Sequence, residues 1–507
     1  MARTRKGYSL HTETSPVVAE DGASRMTYTG DTGGLSVVGA TETFGIATND
    51  SAPILNNPKR EKGETTNWHT FLHLLKGNIG TGIQAMPEAI KNSGLLVGSV
   101  GVVIMGVVCV YCMHMLSRCA TLLKIHPHNP YDDDMAFGYA EVAEAAFKTG
   151  PSRSKWLAVH ARRTVNLFLI ITQFGFCCVY IVYVASNLKK ILDPRFQEEI
   201  SIYAYTAMTL VPFILLSWIR NLKLLAPVSM VANLLMALSL IFIFRYLLED
   251  IPDPSDRKLF ASWKQLPLYF GTAIYAFEGI GLVLPLKAEM RDPDAFDGPT
   301  GILNTGMTVV VCLYTATGFY GYLKYGEDVQ GSITLNLPHD EPLAVSVQVM
   351  MTIAIFFSYA LQFYVPMEIL WPHVQSRIPE RHQYPMEFVF RTILVVFTYV
   401  AAQEKTGTRL RFSLIEKFYP SFLIWYEEVS LAILIPNIGL FISLVGAVSS
   451  SFLAVVFPPI LDIITFTDLQ TPLRLLGNFF IILFGIIGFV TGTYASIEAI
   501  LINFKLI

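Results

Sequence analysis

The run His73-Leu74-Leu75-Lys76-Gly77-Asn78-Ile79-Gly80-Thr81-Gly82, with Pro87 behind it, decides how this chain is read. It lies inside an apolar stretch long enough to cross a bilayer, yet three glycines fall within six residues. Each glycine costs about 1 kcal/mol in a helix interior, so the helix is expected to unwind here. Unwound backbone at membrane depth persists only where it is buried in protein or lines a cavity. A second stretch repeats the device: Phe277-Glu278-Gly279-Ile280-Gly281, followed by Pro285.

Around these two breaks the chain reads as a membrane protein. Of its 507 residues 52% are hydrophobic and 15% charged, against about 25% charged in a soluble domain. Mean hydropathy is +0.47. Apolar stretches recur from Phe71 to the C-terminus, and about eleven spans are expected over 68–95, 97–122, 163–191, 202–219, 222–248, 265–287, 300–323, 342–368, 387–440 (interrupted), 438–461 and 474–503. A soluble enzyme, a nucleic-acid binder and a disulfide scaffold are excluded. No HExxH, GxSxG or Walker pattern places a nucleophile or metal at the breaks, so no enzyme, metal or cofactor is expected. Cys109, Cys112, Cys119, Cys177, Cys178 and Cys312 all lie inside apolar segments, which predicts no structural disulfide.

The breaks fall in spans 1 and 6, five spans apart, so spans 1–5 and 6–10 start with opposite orientation. That predicts an all-α integral membrane fold built as a 5+5 inverted repeat with discontinuous helices 1 and 6, the pattern that marks a secondary transporter's site. A half-helix starting near Thr81 directs the N–H groups of Ile79 to Gly82 into the cavity, which suits a carboxylate. Half-helices ending near Lys76 and Phe277 present carbonyls, which suit an ammonium. Ends of both polarities match an amino-acid zwitterion. The candidate binding residues are therefore Gly77, Asn78, Ile79, Gly80, Thr81, Gly82, Phe277, Glu278, Gly279, Ile280 and Gly281. Tyr359 joins them, with Phe277, as a cap on the pocket. The competing reading makes the glycines packing residues between helices and the two rings ordinary core.

His73 lies within about a turn of the first break and titrates near neutral pH. Glu278 stands at the second, where desolvation disposes a carboxyl to accept a proton; it either does so or pairs with Lys76 to hold the site shut. Intramembrane ionisable groups are costly and hence functional candidates. His114, near the end of span 2, reads as interfacial.

Lys and Arg are roughly twice as numerous on one side of the expected spans, which predicts a cytosolic N-terminus. Residues 1–66 are polar and read as a disordered cytosolic tail, and 67–507 as the transmembrane domain. Within the tail, Asp50-Ser51-Ala52-Pro53-Ile54-Leu55 has the form of an acidic di-leucine sorting signal. Met135 to Phe147 is amphipathic and is expected along the cytosolic face. Phe388 to Val400 is short for a span. Excising roughly 401–430 would join it to Leu431–Leu440 as one span, so that charged piece is expected to be an exon-like insertion, a re-entrant loop being the alternative.

The first motif, with Lys91-Asn92-Ser93-Gly94 after it, resembles the proton-coupled amino acid transporters, a branch of the amino acid/auxin permease family. Ala276-Phe277-Glu278-Gly279-Ile280-Gly281 with Leu284-Pro285-Leu286 is similar to that branch's sixth helix. Pro436-Asn437 and Phe441-Ile442-Ser443-Leu444-Val445-Gly446-Ala447 are similar to its turn between helices nine and ten. The resemblance covers about residues 66 to 505. It implies a LeuT-like fold of eleven helices and proton-driven symport of small neutral amino acids (alanine, glycine, proline), with protons as coupling ion and His73 sensing or carrying them. Plasma-membrane and lysosomal locations both suit proton coupling, since each membrane can face an acidic outer compartment. Two features depart from it: the extracellular loops lack the branch's cysteines, and the 401–430 piece interrupts helix nine. The alternative function is an amino-acid sensor that signals through partners of the tail with little flux.

Overall fold

The computed structural model describes residues 26–28, 35–37, 65–127, 130–131, 137–196, 200–220, 222–338, 340–403 and 437–503. Most of the expected tail, the Asp50–Leu55 signal and nearly all of the 401–430 piece lie outside them. Within the tail, β1 (Met26–Tyr28) pairs antiparallel with β2 (Leu35–Val37), Met26 opposite Val37.

The remainder is helical. α1 (Asn67–Asn78) and α2 (Thr81–Ser93) form the broken first span, followed by α3 (Leu95–Lys124). After α4 (Tyr139–Thr149) come α5 (Ala158–Phe196), α6 (Ile202–Ser217) and α7 (Leu222–Leu248). The sixth span is broken into α8 (Leu266–Ala276) and α9 (Ile280–Ala288). α10 (Ile302–Tyr325), α11 (Pro342–Gln375) and α12 (Glu380–Gln403) follow. α13 (Ile438–Val445) continues through two π-helical segments, Gly446–Ser450 and Phe452–Val456, into α14 (Phe457–Thr465), and α15 (Pro472–Asn503) ends the described chain. Among the described residues eight spans are long and apolar enough to cross a membrane. The broken α1–α2 pair, the 16-residue α6 and α12 occupy the other three expected positions.

Burial sorts the helices into centre and rim. The most apolar stretch of α8–α9 is 72% buried, that of α15 only 17%. α15 bares Leu473, Phe479, Ile487 and Tyr494 on its outer face, as a lipid-facing helix must. α2 packs on α8, α10 and α3, so both broken helices stand at the centre.

Two expectations are corrected. α4 is enclosed by neighbouring helices rather than lying exposed: Ala140, Ala143, Ala145 and Ala146 are buried, and it packs against α5, α3 and α14. Alanine's small side chain permits that approach. Glu144 carries the polar edge to Arg162 (3.1 Å) and Lys148 (2.7 Å), while Tyr139 donates to the Leu453 carbonyl (2.7 Å). The ninth span is also longer than its apolar core. α12 begins at Glu380, and its 24 residues give about 36 Å, enough to cross without Leu431–Leu440. Polar residues enter it because Glu387 and Arg391 neutralise each other one turn apart (2.9 Å), with Arg220 on the same carboxylate (2.8 Å).

Candidate substrate and coupling site

Each break is short. α1 ends at Asn78, Ile79 is extended, Gly80 is neither helical nor extended, and α2 resumes at Thr81. α8 ends at Ala276 and α9 resumes at Ile280. The ends therefore fall two residues later, and one earlier, than the Lys76 and Phe277 expected. The Ile79 N–H is not free either: it donates to Leu75 O at 2.7 Å, leaving the first-turn amides of α2 as the unpaired set.

The breaks are packed directly against one another. A Cβ on Gly82 would stand 2.6 Å from Ala276 Cα, and one on Gly279 would collide with the Asn78 side-chain amide. Gly77 is held against Leu282 of α9, Gly80 faces the Tyr180 hydroxyl from α5, and Gly281 lies beside Leu169. Ile280 is fully buried at the start of α9. Asn78 donates from Nδ2 to Leu74 O (2.9 Å), while its Oδ1 is buried without a partner. Thr81 joins the two breaks through a 2.8 Å hydrogen bond with the Tyr275 hydroxyl.

Tyr314 of α10, which the sequence reading passed over, sits where the carbonyls meet. Its hydroxyl is within hydrogen-bond reach of Asn78 O and of Ala276 O (2.9 Å), the last carbonyls of α1 and α8. One phenol carries one proton, so it satisfies one of these carbonyls at a time. Nothing in the run Cys312-Leu313-Tyr314-Thr315 separates this tyrosine from a core residue.

The remaining candidates part company. The Phe277 ring packs on Tyr314 (5.1 Å between centroids) and against α3 at Gly106, so it is a wall between α3 and α10 rather than a cap. Tyr359 is not brought to either break. Its ring lies on Phe213 (4.6 Å) and its hydroxyl 3.3 Å from that of Thr398, both on other helices. Glu278 makes no ion pair with Lys76 among the described residues. It turns to Ser450 in the first π-helical segment, yet Glu278 Oε2 and Ser450 Oγ are both buried with no completed hydrogen bond. π-helical turns are frequent at functional sites. His73 is exposed on α1, away from the break, with His69, Lys76 and Glu289 as charged neighbours. His114 bonds Asn304 (2.8 Å) and lies 3.4 Å from Asp297. All six cysteines are free.

Both approaches to the breaks are covered. On the side of the N-terminus, Thr65 forms a bridge with Met290: its N–H donates to Glu289 O (3.1 Å), and Arg291 N–H donates to Thr65 O (3.0 Å). This ties the start of α1 to the segment after α9. On the far side, the loop 326–338 folds inward with Ile333 and Thr334 fully buried. Lys190 of α5 donates to the Leu335 and Leu337 carbonyls, and Lys91 of α2 to Val329 O (3.1 Å).

Comparison with known proteins fits this geometry. Residues 63–498 match the family described as transmembrane amino acid transporter protein. The chain is 35% identical over 460 residues to the Drosophila melanogaster protein called proton-coupled amino acid transporter-like protein pathetic, covering 90% of this chain and 89% of that one. It is 26% identical over 460 residues to amino acid transporter ANT1 of Arabidopsis thaliana, covering 89% and 97%. Among solved structures, a Na+-coupled sialic acid symporter in its substrate-bound outward-open state aligns with a TM-score of 0.46 at 12% identity, over 86% of this chain and 90% of that one. These sequence relatives are transporters and not enzymes, and this chain is likewise a multi-pass membrane transporter. It belongs to the transmembrane amino acid transporter family.

Proposed function

We propose that the chain moves small neutral amino acids, of the alanine, glycine and proline class, together with protons, by alternating access. The observation that carries this reading is the convergence of Asn78 O and Ala276 O on one Tyr314 hydroxyl. An ammonium has three protons to give and satisfies both carbonyls where the phenol serves one. The unpaired first-turn amides of α2 lie next along the same break and suit the carboxylate. The close approach of Gly82 to Ala276 leaves a compact space, hence small substrates. The Thr65 bridge on one side and the 326–338 loop on the other are closures that alternate access would open in turn. Glu278 is the proton carrier at the break, with His73 sensing pH from the N-terminal side, which is cytosolic.

The test is uptake of labelled alanine, glycine and proline into liposomes under an imposed pH gradient. Gradient-driven accumulation is expected in the full chain, lost in Glu278→Gln and weakened in His73→Ala. A form lacking residues 1–64, which keeps Thr65, should still transport. Saturable alanine binding with no flux in any form would replace symport with the sensor.

A further inference from the structure

A second buried carboxyl has no role in that cycle. Glu88 lies on α2 between the enclosed Pro87 and Ala89 and is itself half-buried. Its Oε2 is enclosed and has no hydrogen-bond partner. The carboxyl sits directly on Gly439 in the first turn of α13, where any Cβ would collide with it. Gly439 is covered in turn by the far-side loop: a Cβ on Gly331 would lie 2.7 Å from the Gly439 nitrogen and 3.3 Å from Ile438 Cβ. Three elements, α2, α13 and the 326–338 loop, therefore meet over one carboxyl.

A carboxylate near a helix N-terminus is ordinarily stabilised by the amides there. Here two of those amides are already engaged, because Asn437 Oδ1 accepts from Gly439 N–H (2.9 Å) and Leu440 N–H (3.4 Å). The cations of these elements hydrogen-bond elsewhere, although the Lys91 charge still favours an ionised carboxyl across space. Lys91 on the same helix donates to Val329 O, Lys190 of α5 to the loop carbonyls, and Lys324 of α10 to Glu249 O (2.9 Å). On the loop itself Glu327 pairs with Lys258 (3.1 Å) and Asp328 is exposed; among the described residues α13 brings no charge to the seam. Sealing an ionised carboxylate into this seat leaves a charged oxygen unpaired, a cost that the neutral acid largely escapes.

We propose that Glu88 is a second proton-binding carboxyl, and that it must be neutral for α13 and the 326–338 loop to close over α2. The proton is taken from the solution on the far face while the seam is open, forms the O–H bond on the carboxylate, and returns to that face when the seam reopens. It is a gating proton, separate from the one carried at Glu278. The idea rests on the proton-coupled reading, since only there does acid-favoured closure set the order of steps.

The test reads closure rather than transport. Ser332, 1% exposed beneath the loop, is replaced in the detergent-solubilised full chain (Ser332→Cys, with the exposed Cys312→Ser). Maleimide labelling is followed at mildly acidic and mildly alkaline pH, each rate normalised to denatured protein at the same pH. We expect protection in acid and labelling several-fold faster in alkali. Adding Glu88→Gln should give protection at both pH values. Adding Gly439→Ala, which unseats the carboxyl, should give labelling at both. A Glu88→Gln form that keeps the parent's pH dependence overturns the proposal. So does a parent that labels faster in acid, which is the sign expected if α13 holds the carboxylate. A failed uptake assay would instead remove the transport reading and leave this labelling result to judge Glu88.

Discussion

At the scale of single residues, the candidate site turns on two close contacts. Gly82 is one, because the atom its Cβ would meet is the backbone of Ala276 and not a flexible side chain. Gly82→Ala must push the two half-helices apart, at about 1–3 kcal/mol. Alanine uptake is expected to be lost while the protein still inserts and purifies; normal uptake would show that the breaks need not touch. Tyr314 is the other. Tyr314→Phe keeps the ring packed on Phe277 but strips both buried carbonyls of their donor, which costs about 1–3 kcal/mol. The thermal midpoint of the substrate-free protein should fall. Saturating alanine should recover more of it than it adds to the wild type, because the ammonium restores what the phenol supplied. An equal alanine-induced shift in both proteins would separate Tyr314 from the substrate.

At the scale of elements, the sequence exposed the breaks far better than what surrounds them. Glycine clusters inside apolar runs are visible because they violate helix propensity, and both breaks fall where that violation lies. Tyr314 and Tyr275 violate nothing that a one-dimensional pattern records, since their meaning comes from which helix they face; Glu88, an ionisable residue inside the first span, was visible by that rule and was passed over. The burial of α4 was missed because alanine scores as weakly apolar on a surface helix and as ideal packing in a buried one. The joint between α3, α9 and α10 was equally hidden. Asp297, in the segment between α9 and α10, accepts from Ser117 (2.8 Å) and Lys287 (2.6 Å) and faces His114. Burial alone would raise its carboxyl, but these hydrogen bonds and the Lys287 charge prevail and pull it down to about 2. A carboxyl held that low contributes stability that is fully present above its unfolded value near 4 and is lost as pH falls through 2. Its contribution is about 2 kcal/mol. The thermal midpoint of the wild type should therefore drop between pH 5 and pH 2.5 by more than that of Asp297→Asn. Parallel curves would show that the joint is not held by this charge.

At the scale of the whole molecule, the architecture is two halves whose broken first helices meet, and its weak point is the ninth span. α12 is a helix from Glu380 to Gln403, long enough to cross by itself, and α13 begins the next crossing at Ile438, capped by Asn437. The candidate site is assembled from α1, α2, α8 and α10, with Ser450 beyond α13 as the neighbour of Glu278. If residues 404–430 are an insertion into an otherwise complete transporter, joining Gln403 to Leu431 leaves six residues before Asn437 to turn the chain between adjacent spans, a common length for a helix connection. The shortened form is expected to insert, to bind alanine with unchanged affinity and to transport at least as fast as the full chain under the same pH gradient. Loss of alanine binding on excision would instead make 404–430 part of the site, as the re-entrant reading requires.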